Sequence, residues 1–170
     1  AKGSAQGGSA VALTGSGFVS DVAAGSLKLY ANGVLCTHVV ATSNTALTAK
    51  TPKLAAGPVT FEVRAKKLGS PYAATLAGAY AVFDPPSIAA VSPGSGSAHG
   101  GAVVVISGTR FQDDVVADST TVRIGSHVAD DVEVVDDATL LARFASAGAS
   151  EANVDVVVTN SRGKVTKSKA

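Results

Sequence analysis

The feature that most constrains this chain is an internal repeat. Residues 7–18 read Gly-Gly-Ser-Ala-Val-Ala-Leu-Thr-Gly-Ser-Gly-Phe, and residues 100–111 read Gly-Gly-Ala-Val-Val-Val-Ile-Ser-Gly-Thr-Arg-Phe. The correspondence continues downstream, where Val39 matches Val132 at the same spacing. Self-similarity at a fixed period indicates that one structural unit occurs more than once. The sequence therefore predicts two homologous units in tandem.

Each copy has the pattern of short β-strands. Leu-Lys-Leu at residues 27–29 and Val-Arg-Ile at residues 122–124 alternate apolar and polar side chains, which places the apolar ones on one face of a strand. Val and Ala together make up about a third of the 170 residues, and turn residues recur about every 8 to 12 positions. Asn32-Gly33 predicts a two-residue hairpin turn, because both positions tolerate positive φ. We expect an all-β fold without long helices.

The boundary between the copies is marked by Asp84-Pro85-Pro86. Two consecutive prolines cannot donate ladder hydrogen bonds and favour an extended, stiff connection. This predicts one domain over residues 1–84 and a second over residues 85–170. Because only residues 1–6 precede the first Gly-Gly, the first domain is expected to lack its own first strand. The chain contains no Met, which indicates a fragment of a larger protein.

The second copy resembles the IPT/TIG domain, and the first copy resembles it more loosely between residues 7 and 83. The resemblance rests on glycine and proline spacing and on short Val-rich runs, at residues 86–96, 100–101, 103–111, 122–125, 138–142 and 154–160. It implies two tandem immunoglobulin-like (IPT/TIG) β-sandwiches. It also implies that Phe18 and Phe111, which stand three residues after Gly15 and Gly108, fill the core.

The single cysteine, Cys36, excludes a disulfide within the chain. In animal receptor members of the family, the position of Cys36 tends to pair with a cysteine at the position of Ala49. The second copy has Ala129 and Ala142 at the two equivalent positions. The resemblance therefore implies a disulfide-free relative, such as a bacterial surface protein or an intracellular protein, more than an animal receptor ectodomain.

No residue is assigned a catalytic, cofactor-binding or metal-binding role. His38, His99 and His127 have no short metal-ligand spacing, and a second Cys is lacking, so a zinc site is not predicted. His38 lies two residues after Cys36, and in a regular strand both would point to the same face. A nucleophilic thiol also needs a lowered pKa, so Cys36 is interpreted as a small buried side chain.

The acidic pairs all lie in the second copy, and they are interpreted as solvated loop carboxylates. None has the spacing of an EF-hand loop, although a calcium site built from neighbouring loops stays open as an alternative. A glycosidase pair would need a cleft, which nothing in the sequence indicates. The residues concerned are Asp113, Asp114, Asp118, Asp130, Asp131, Asp136 and Asp137.

The net charge of the chain restricts the classes of partner that it is expected to bind. The net charge of +1 at pH 7 does not predict binding to nucleic acid or to an anionic membrane. No apolar run approaches the roughly 18 residues of a membrane span. The first copy is basic and the second is acidic, so we expect charge-driven contact between units or between copies. A basic cluster in the first copy is interpreted as a solvated sandwich edge; it consists of Lys50, Lys53, Arg64, Lys66 and Lys67.

These observations predict a non-catalytic structural spacer and protein-interaction module, a tandem fragment of a larger cell-surface or adhesin-like protein with partners of unknown identity. The first alternative is an intracellular scaffold segment of a cytoskeletal or ciliary assembly. The second is a carbohydrate-binding accessory domain, for which Tyr30, Tyr72 and Tyr80 are the available aromatic platforms. Neither enzymatic activity nor a cofactor is predicted. The family resemblance favours the cell surface, and the sequence leaves the compartment undetermined.

Overall fold

A computed structural model describes residues 1–19, 25–67, 70–96, 99–112, 119–145 and 154–168 of the chain. It divides into two compact units, Ala1–Asp84 and Pro85–Ala170. Over the described ranges the regular secondary structure is entirely β-strand, which confirms the predicted all-β fold. The same ranges contain no helix that is long and apolar enough to cross a membrane.

The first unit contains two sheets. Its strands are β1 (Lys2–Ser4), β2 (Ala10–Thr14), β3 (Lys28–Ala31), β4 (Val34–Leu35), β5 (Thr37–Ala41), β6 (Ala46–Lys50), β7 (Gly57–Lys67) and β8 (Ser70–Phe83). One sheet has the order β1-β8-β7-β3-β4, and the other has the order β2-β6-β5. All neighbours are antiparallel except β1 and β8, which run parallel.

The second unit also contains two sheets. Its strands are β9 (Ser87–Ser92), β10 (Val103–Thr109), β11 (Thr121–Ile124), β12 (His127–Val128), β13 (Asp131–Asp136), β14 (Thr139–Arg143), β15 (Val156–Asn160) and β16 (Gly163–Lys167). The sheet orders are β13-β14-β10-β9 and β12-β11-β15-β16. Every pair of described strands in this unit is antiparallel.

The repeat in the sequence is a repeat of structure. The order β5-β6-β2 in the first unit corresponds to β13-β14-β10 in the second, and β8-β7-β3-β4 corresponds to β16-β15-β11-β12. The units differ at their first strands: β9 pairs antiparallel with β10, whereas β1 pairs parallel with β8. Among the described strands, none occupies beside β2 the place that β9 takes beside β10.

The core of each unit lies between its two sheets, because alternate residues of facing strands point inward. In β2 the exposure alternates residue by residue, and Val11 and Leu13 are the buried positions. They join Leu29 and Val59 of the opposite sheet in one cluster. The second unit has an equivalent cluster around Ile106 and other buried side chains. The predicted period of two therefore builds a sandwich in both units.

An aromatic ring packed on a glycine completes each core. Phe111 is fully buried and Phe18 is nearly so, which confirms that both fill the core. A Cβ atom at Gly15 would lie 2.8 Å from Cζ of Phe18, and one at Gly108 would lie 2.6 Å from Cζ of Phe111. Both distances are shorter than side-chain packing allows. The glycine three residues before each ring, Gly15 or Gly108, is thus required by that ring.

The hairpin predicted at Asn32-Gly33 joins β3 to β4, with φ values of 47° and 81° at these two residues. The Asn32 side chain also ties the turn to β7. Its Oδ1 accepts a hydrogen bond from the Thr60 N–H at 2.8 Å, and its Nδ2 donates to the Pro58 carbonyl at 3.2 Å. Positive φ and side-chain hydrogen bonding together explain why Asn stands at this position.

Cys36 lies in the core of the first unit and is 3% exposed. Burial raises the pKa of its thiol to about 11. The expectation that His38 shares its face is wrong: His38 is exposed, with φ of 51°, at a bulge between Thr37 and Val40. Because a bulge breaks the two-residue alternation, Val39 packs against the core instead.

We expect Gly108→Ala to destabilise the second unit by about 2 kcal/mol, because overpacking a tight site typically costs about 1–3 kcal/mol. The added methyl would collide with the Ser87 carbonyl and the Phe111 ring. Urea denaturation followed by circular dichroism measures the change. Gly96→Ala is the matched control, since its Cβ would meet only the Ala102 Cβ at an ordinary 3.6 Å. Equal denaturation midpoints for the two variants would contradict this packing.

The raised pKa of Cys36 predicts a loss of stability in alkali. The unfolded thiol ionises near its ordinary value of 9.0, whereas the folded thiol stays protonated until about 11. The unfolded state therefore loses its proton first, and the free energy of unfolding should fall by up to about 1.4 kcal/mol per pH unit between these values. Cys36→Ala should make the free energy of unfolding less dependent on pH in this range. Tyr and Lys contribute equally in both proteins, so they do not account for the difference. Urea denaturation at pH values from 8 to 10.5 gives the free energy of unfolding of each protein, and an equal dependence on pH in both would refute the prediction.

Candidate functional site

Of the residues first considered for metal or acid–base chemistry, those that the structure describes do not assemble into a metal site. His38 lies on β5, His127 lies on β12, and His99 precedes β10. In the ranges that the structure describes, no group of three or more His, Cys, Asp or Glu side chains is arranged to hold a metal ion. Asp113, Asp114 and Asp118 lie outside the described residues.

Three of the remaining acidic side chains accept hydrogen bonds from backbone N–H groups. Asp137 accepts hydrogen bonds from the N–H groups of Arg110 and Gln112, at 3.2 and 3.3 Å. Asp130 accepts from Ala145 N–H at 2.6 Å, and Asp136 accepts from Ala138 N–H at 2.7 Å. Asp137 thereby holds the chain on both sides of Phe111. These contacts give the carboxylates a structural role, while Asp131 is exposed on β13.

A shallow groove lies on the first unit, with a volume of about 660 Å³. It is lined by residues of β3, β7 and β8, and we call it the basic groove. The side chains that define its chemistry are three cations, two tyrosines and a proline: Lys28, Arg64, Lys66, Tyr30, Tyr72 and Pro71.

Strand register explains how these side chains meet. Lys28 and Tyr30 alternate with the buried Leu29 on β3, so both point outward. β3 pairs with β7 so that Lys28 stands opposite Arg64. On the other side of β7, Lys66 stands opposite Pro71 of β8. Residues far apart in the sequence thus form one face.

Arg64 is held in a defined orientation. Its Nε and Nη2 donate to the two carboxylate oxygens of Glu62, at 2.8 and 2.7 Å. Its guanidinium carbon lies 4.5 Å from the centroid of the Tyr30 ring, a cation–π contact. The hydrogen bonds from Arg64 lower the pKa of the Glu62 carboxyl, and those to Glu62 raise the pKa of Arg64. The Glu62–Arg64 pair therefore stays ionised at neutral pH, and the Tyr30 ring packs against the Arg64 guanidinium.

The tyrosines fall into two different environments. The Tyr72 hydroxyl donates to the Gly17 carbonyl at 2.8 Å, which ties β8 to the chain that follows β2. Tyr30 and Tyr72 both line the basic groove. Tyr80 is 5% exposed and packs against the Phe61 ring at 5.5 Å between centroids. The suggestion that Tyr80 is available as a sugar platform is therefore wrong, because its side chain belongs to the core.

The basic cluster expected from the sequence is divided by the fold. Arg64 and Lys66 line the basic groove on β7, which lies between β8 and β3, so an edge position is wrong for them. Lys50 ends β6 in the other sheet, and Lys53 follows it. The side chain of Lys67 lies outside the described residues. The sequence did not identify Lys28 as a member of this cluster. Its alternation with Leu29 indicated an outward position, but which strand pairs with β3 was unknown.

Comparison with known proteins places the chain in a family. The sequence matches the IPT/TIG domain over residues 1–77 and again over residues 86–169. No curated protein sequence matches it significantly. The two matches cover both structural units, and each contains the glycine motif and the aromatic core residue described above.

Solved structures with a similar fold include the extracellular region of plexin A4, with 13% identity and a TM-score of 0.51. That match covers 94% of this chain but only 14% of the plexin chain. A surface glycan-binding protein from Prevotella bryantii, PbSGBP-B, is 15% identical with a TM-score of 0.42, covering 99% of this chain and 37% of that one. At these identities the plexin match supports the fold alone. On the two family matches, we conclude that the chain belongs to the IPT/TIG domain family and contains two of its domains in tandem.

Proposed function

We propose that this chain is a non-catalytic spacer and protein-interaction segment of a larger protein, and that the basic groove is its contact surface on the first unit. The groove accepts an extended acidic segment of a partner protein. The observation that carries the proposal is the convergence of Lys28, Arg64 and Lys66 beside Tyr30 on one sheet face, in a groove that Tyr72 also lines.

The charge distribution of the groove favours an anionic ligand. Glu62 is already engaged by two hydrogen bonds from Arg64, while Lys28 and Lys66 add two more positive charges. Because Glu62 already occupies the Nε–Nη2 edge of Arg64 and balances its charge, Lys28 and Lys66 supply the net positive charge of the groove. Single exposed ion pairs contribute only about 0.2–1 kcal/mol. A segment with several acidic residues is therefore needed for measurable affinity.

The environment of the titratable groups supports a non-catalytic role. The Cys36 thiol is buried and its pKa is raised to about 11, so it is protonated at neutral pH. The described histidines lie on separate strands or loops, and His38 points away from Cys36. A nucleophile needs a neighbouring base and an accessible position, and the described part of the chain offers no such combination.

The proposal predicts that two groove lysines matter more than two lysines elsewhere on the same unit. The double variant Lys28→Ala/Lys66→Ala should weaken binding of a fluorescein-labelled hexaglutamate peptide by about tenfold, a change of about 1.4 kcal/mol. Lys50→Ala/Lys53→Ala lowers the net charge equally and should leave affinity nearly unchanged. Fluorescence anisotropy at low salt measures both, and added salt should weaken binding. Equal losses in both variants would show a response to net charge alone.

The same anisotropy titration distinguishes the protein-interaction proposal from the carbohydrate-binding alternative. A fluorescein-labelled oligouronate carries carboxylates on sugar rings, which Tyr30 and Tyr72 could contact. The proposed function expects the peptide to bind and the groove variant to lose it. Binding of the oligouronate without binding of the peptide would replace the protein-interaction proposal with a carbohydrate-binding one.

We further propose that the parent protein lies at the cell surface, as the family resemblance to adhesins and receptors favours. Labelling intact cells with a membrane-impermeant, amine-reactive biotin should then modify the parent protein, since exposed lysines such as Lys28 and Lys53 are present. Protection in intact cells, with labelling only after lysis, is the contrary result. Enrichment in the insoluble cytoskeletal fraction would then favour the intracellular scaffold.

A further inference from the structure

We propose that the acidic segment accepted by the basic groove is residues 130–137 of a second copy of this chain. Copies would then associate head to tail, the first unit of one copy binding the second unit of the next. The inference rests on the proposed function, because it names the partner of the same groove. One sequence supplies both surfaces: the groove belongs to the first unit and residues 130–137 belong to the second. We call these residues the acidic segment.

The acidic segment reads Asp-Asp-Val-Glu-Val-Val-Asp-Asp, so five of its eight residues carry a carboxylate. It consists of β13 and one residue on either side, and β13 is an edge strand of its sheet. Asp130, Asp136 and Asp137 already accept hydrogen bonds from backbone N–H groups. Asp131 and Glu133 are exposed on β13. These two carboxylates are therefore the ones placed to reach a partner.

The acidic segment keeps a net negative charge in its surroundings. Arg143 of β14 stands opposite Asp131, and the Arg110 N–H donates to Asp137. Two cations do not balance five carboxylates. Over the whole sequence, residues 1–84 contain seven Lys or Arg against three Asp or Glu, whereas residues 85–170 contain seven against ten. The groove and the acidic segment thus have opposite net charge, which favours contact between copies.

Opposite charge on two different surfaces determines the kind of contact. Groove against groove, or acidic segment against acidic segment, would bring like charges together and is disfavoured. The contact is therefore heterologous: the groove of one copy binds the acidic segment of the next copy. Because both copies keep one surface unused, a heterologous contact can be repeated from copy to copy.

The spacing of the charges matches on the two surfaces. Lys28 stands opposite Arg64, and Lys66 lies two residues beyond Arg64 on β7, so the two lysines are diagonal neighbours. Diagonal neighbours on a sheet are about 7–8 Å apart. Asp131 and Glu133 lie two residues apart on one strand, a distance of about 6.6 Å. One extended strand can therefore bring a carboxylate to each lysine.

The next position along each surface is apolar. Val135, two residues after the second carboxylate, is 51% exposed. Continuing from Lys28 along β3 leads to Tyr30, with the exposed Leu35 of β4 opposite it. Glu62 stands on the other side of Tyr30, so a carboxylate in this place would be repelled. Two carboxylates followed by an apolar side chain thus match two lysines followed by an aromatic ring.

The test uses two variants that each remove one surface. Lys28→Ala/Lys66→Ala removes the cations of the groove, and Asp131→Asn/Glu133→Gln removes the carboxylates with little change of shape. At low salt the sedimentation coefficient of the unchanged chain should rise with concentration, with a Kd of about 1 mM or tighter, while each variant alone stays monomeric. An equal mixture should form a dimer of one copy of each and grow no further, because each variant supplies the surface that the other lacks.

Two further variants separate this contact from a general effect of charge. The quadruple variant with all four substitutions keeps the natural net charge and should stay monomeric. Val135→Asp makes the acidic segment more negative, yet it should weaken association by about threefold or more, because Glu62 lies beside that position. Val135→Thr is the matched uncharged control and should associate nearly as the unchanged chain does. Stronger association of Val135→Asp would overturn the proposed register.

Amide chemical shifts locate the contact in the mixture. Shifts should change in β13 when the groove variant carries the nitrogen-15 label, and in β3 and β7 when the carboxylate variant carries it. A constant sedimentation coefficient up to about 1 mM, a mixture that stays monomeric, or changes on other strands would overturn the inference. Hexaglutamate binding to the carboxylate variant, whose groove is intact, tests the proposed function separately. If the peptide binds while copies do not associate, this inference alone is refuted.

Discussion

Burial of small apolar side chains between two sheets is the interaction on which each unit depends. Val and Ala dominate the inward positions, and such side chains bury little area each, so a few larger ones must close the core. Phe111, Leu140 and Ile106 do this in the second unit, and Phe18, Leu29 and Leu47 do it in the first. The glycine beneath each Phe ring lets the aromatic side chain approach the backbone. The same motif in both repeats therefore has one steric cause.

The rigidity of these cores determines what the surface can do. Because alternate residues of β3 and β7 are locked inward, their neighbours are held outward at fixed spacing. Lys28, Tyr30 and Arg64 are placed in this way, and Glu62 and Tyr30 then fix the guanidinium further. A rigid scaffold that holds charged and aromatic groups in place is a sound basis for recognition, although the fold alone does not specify a partner.

The candidate site could be predicted only in part. The sequence indicates that Lys28, Arg64 and Lys66 lie on the polar faces of strands, and that Tyr30 and Tyr72 are candidate contact residues. Two expectations failed for local reasons: the bulge in β5 turns His38 away from Cys36, and Tyr80 is drawn into the core beside Phe61. A bulge inserts one residue and leaves little trace in composition. For a tyrosine near the end of a long apolar strand, the sequence does not determine which face of the sheet carries the side chain.

Local features of the chain account for the repeat, the strand character of each segment, the Asn32-Gly33 turn and the aromatic core residues, because these depend on residues close in sequence. The basic groove and the order of strands in each sheet depend on pairings between distant segments. Register between β3 and β7 brings Lys28 opposite Arg64, and the sheet order leaves β2 at an edge while β10 gains β9. Hydrogen-bond register is a relation between two strands, so neither strand read alone contains it; it emerges only when both cores are packed.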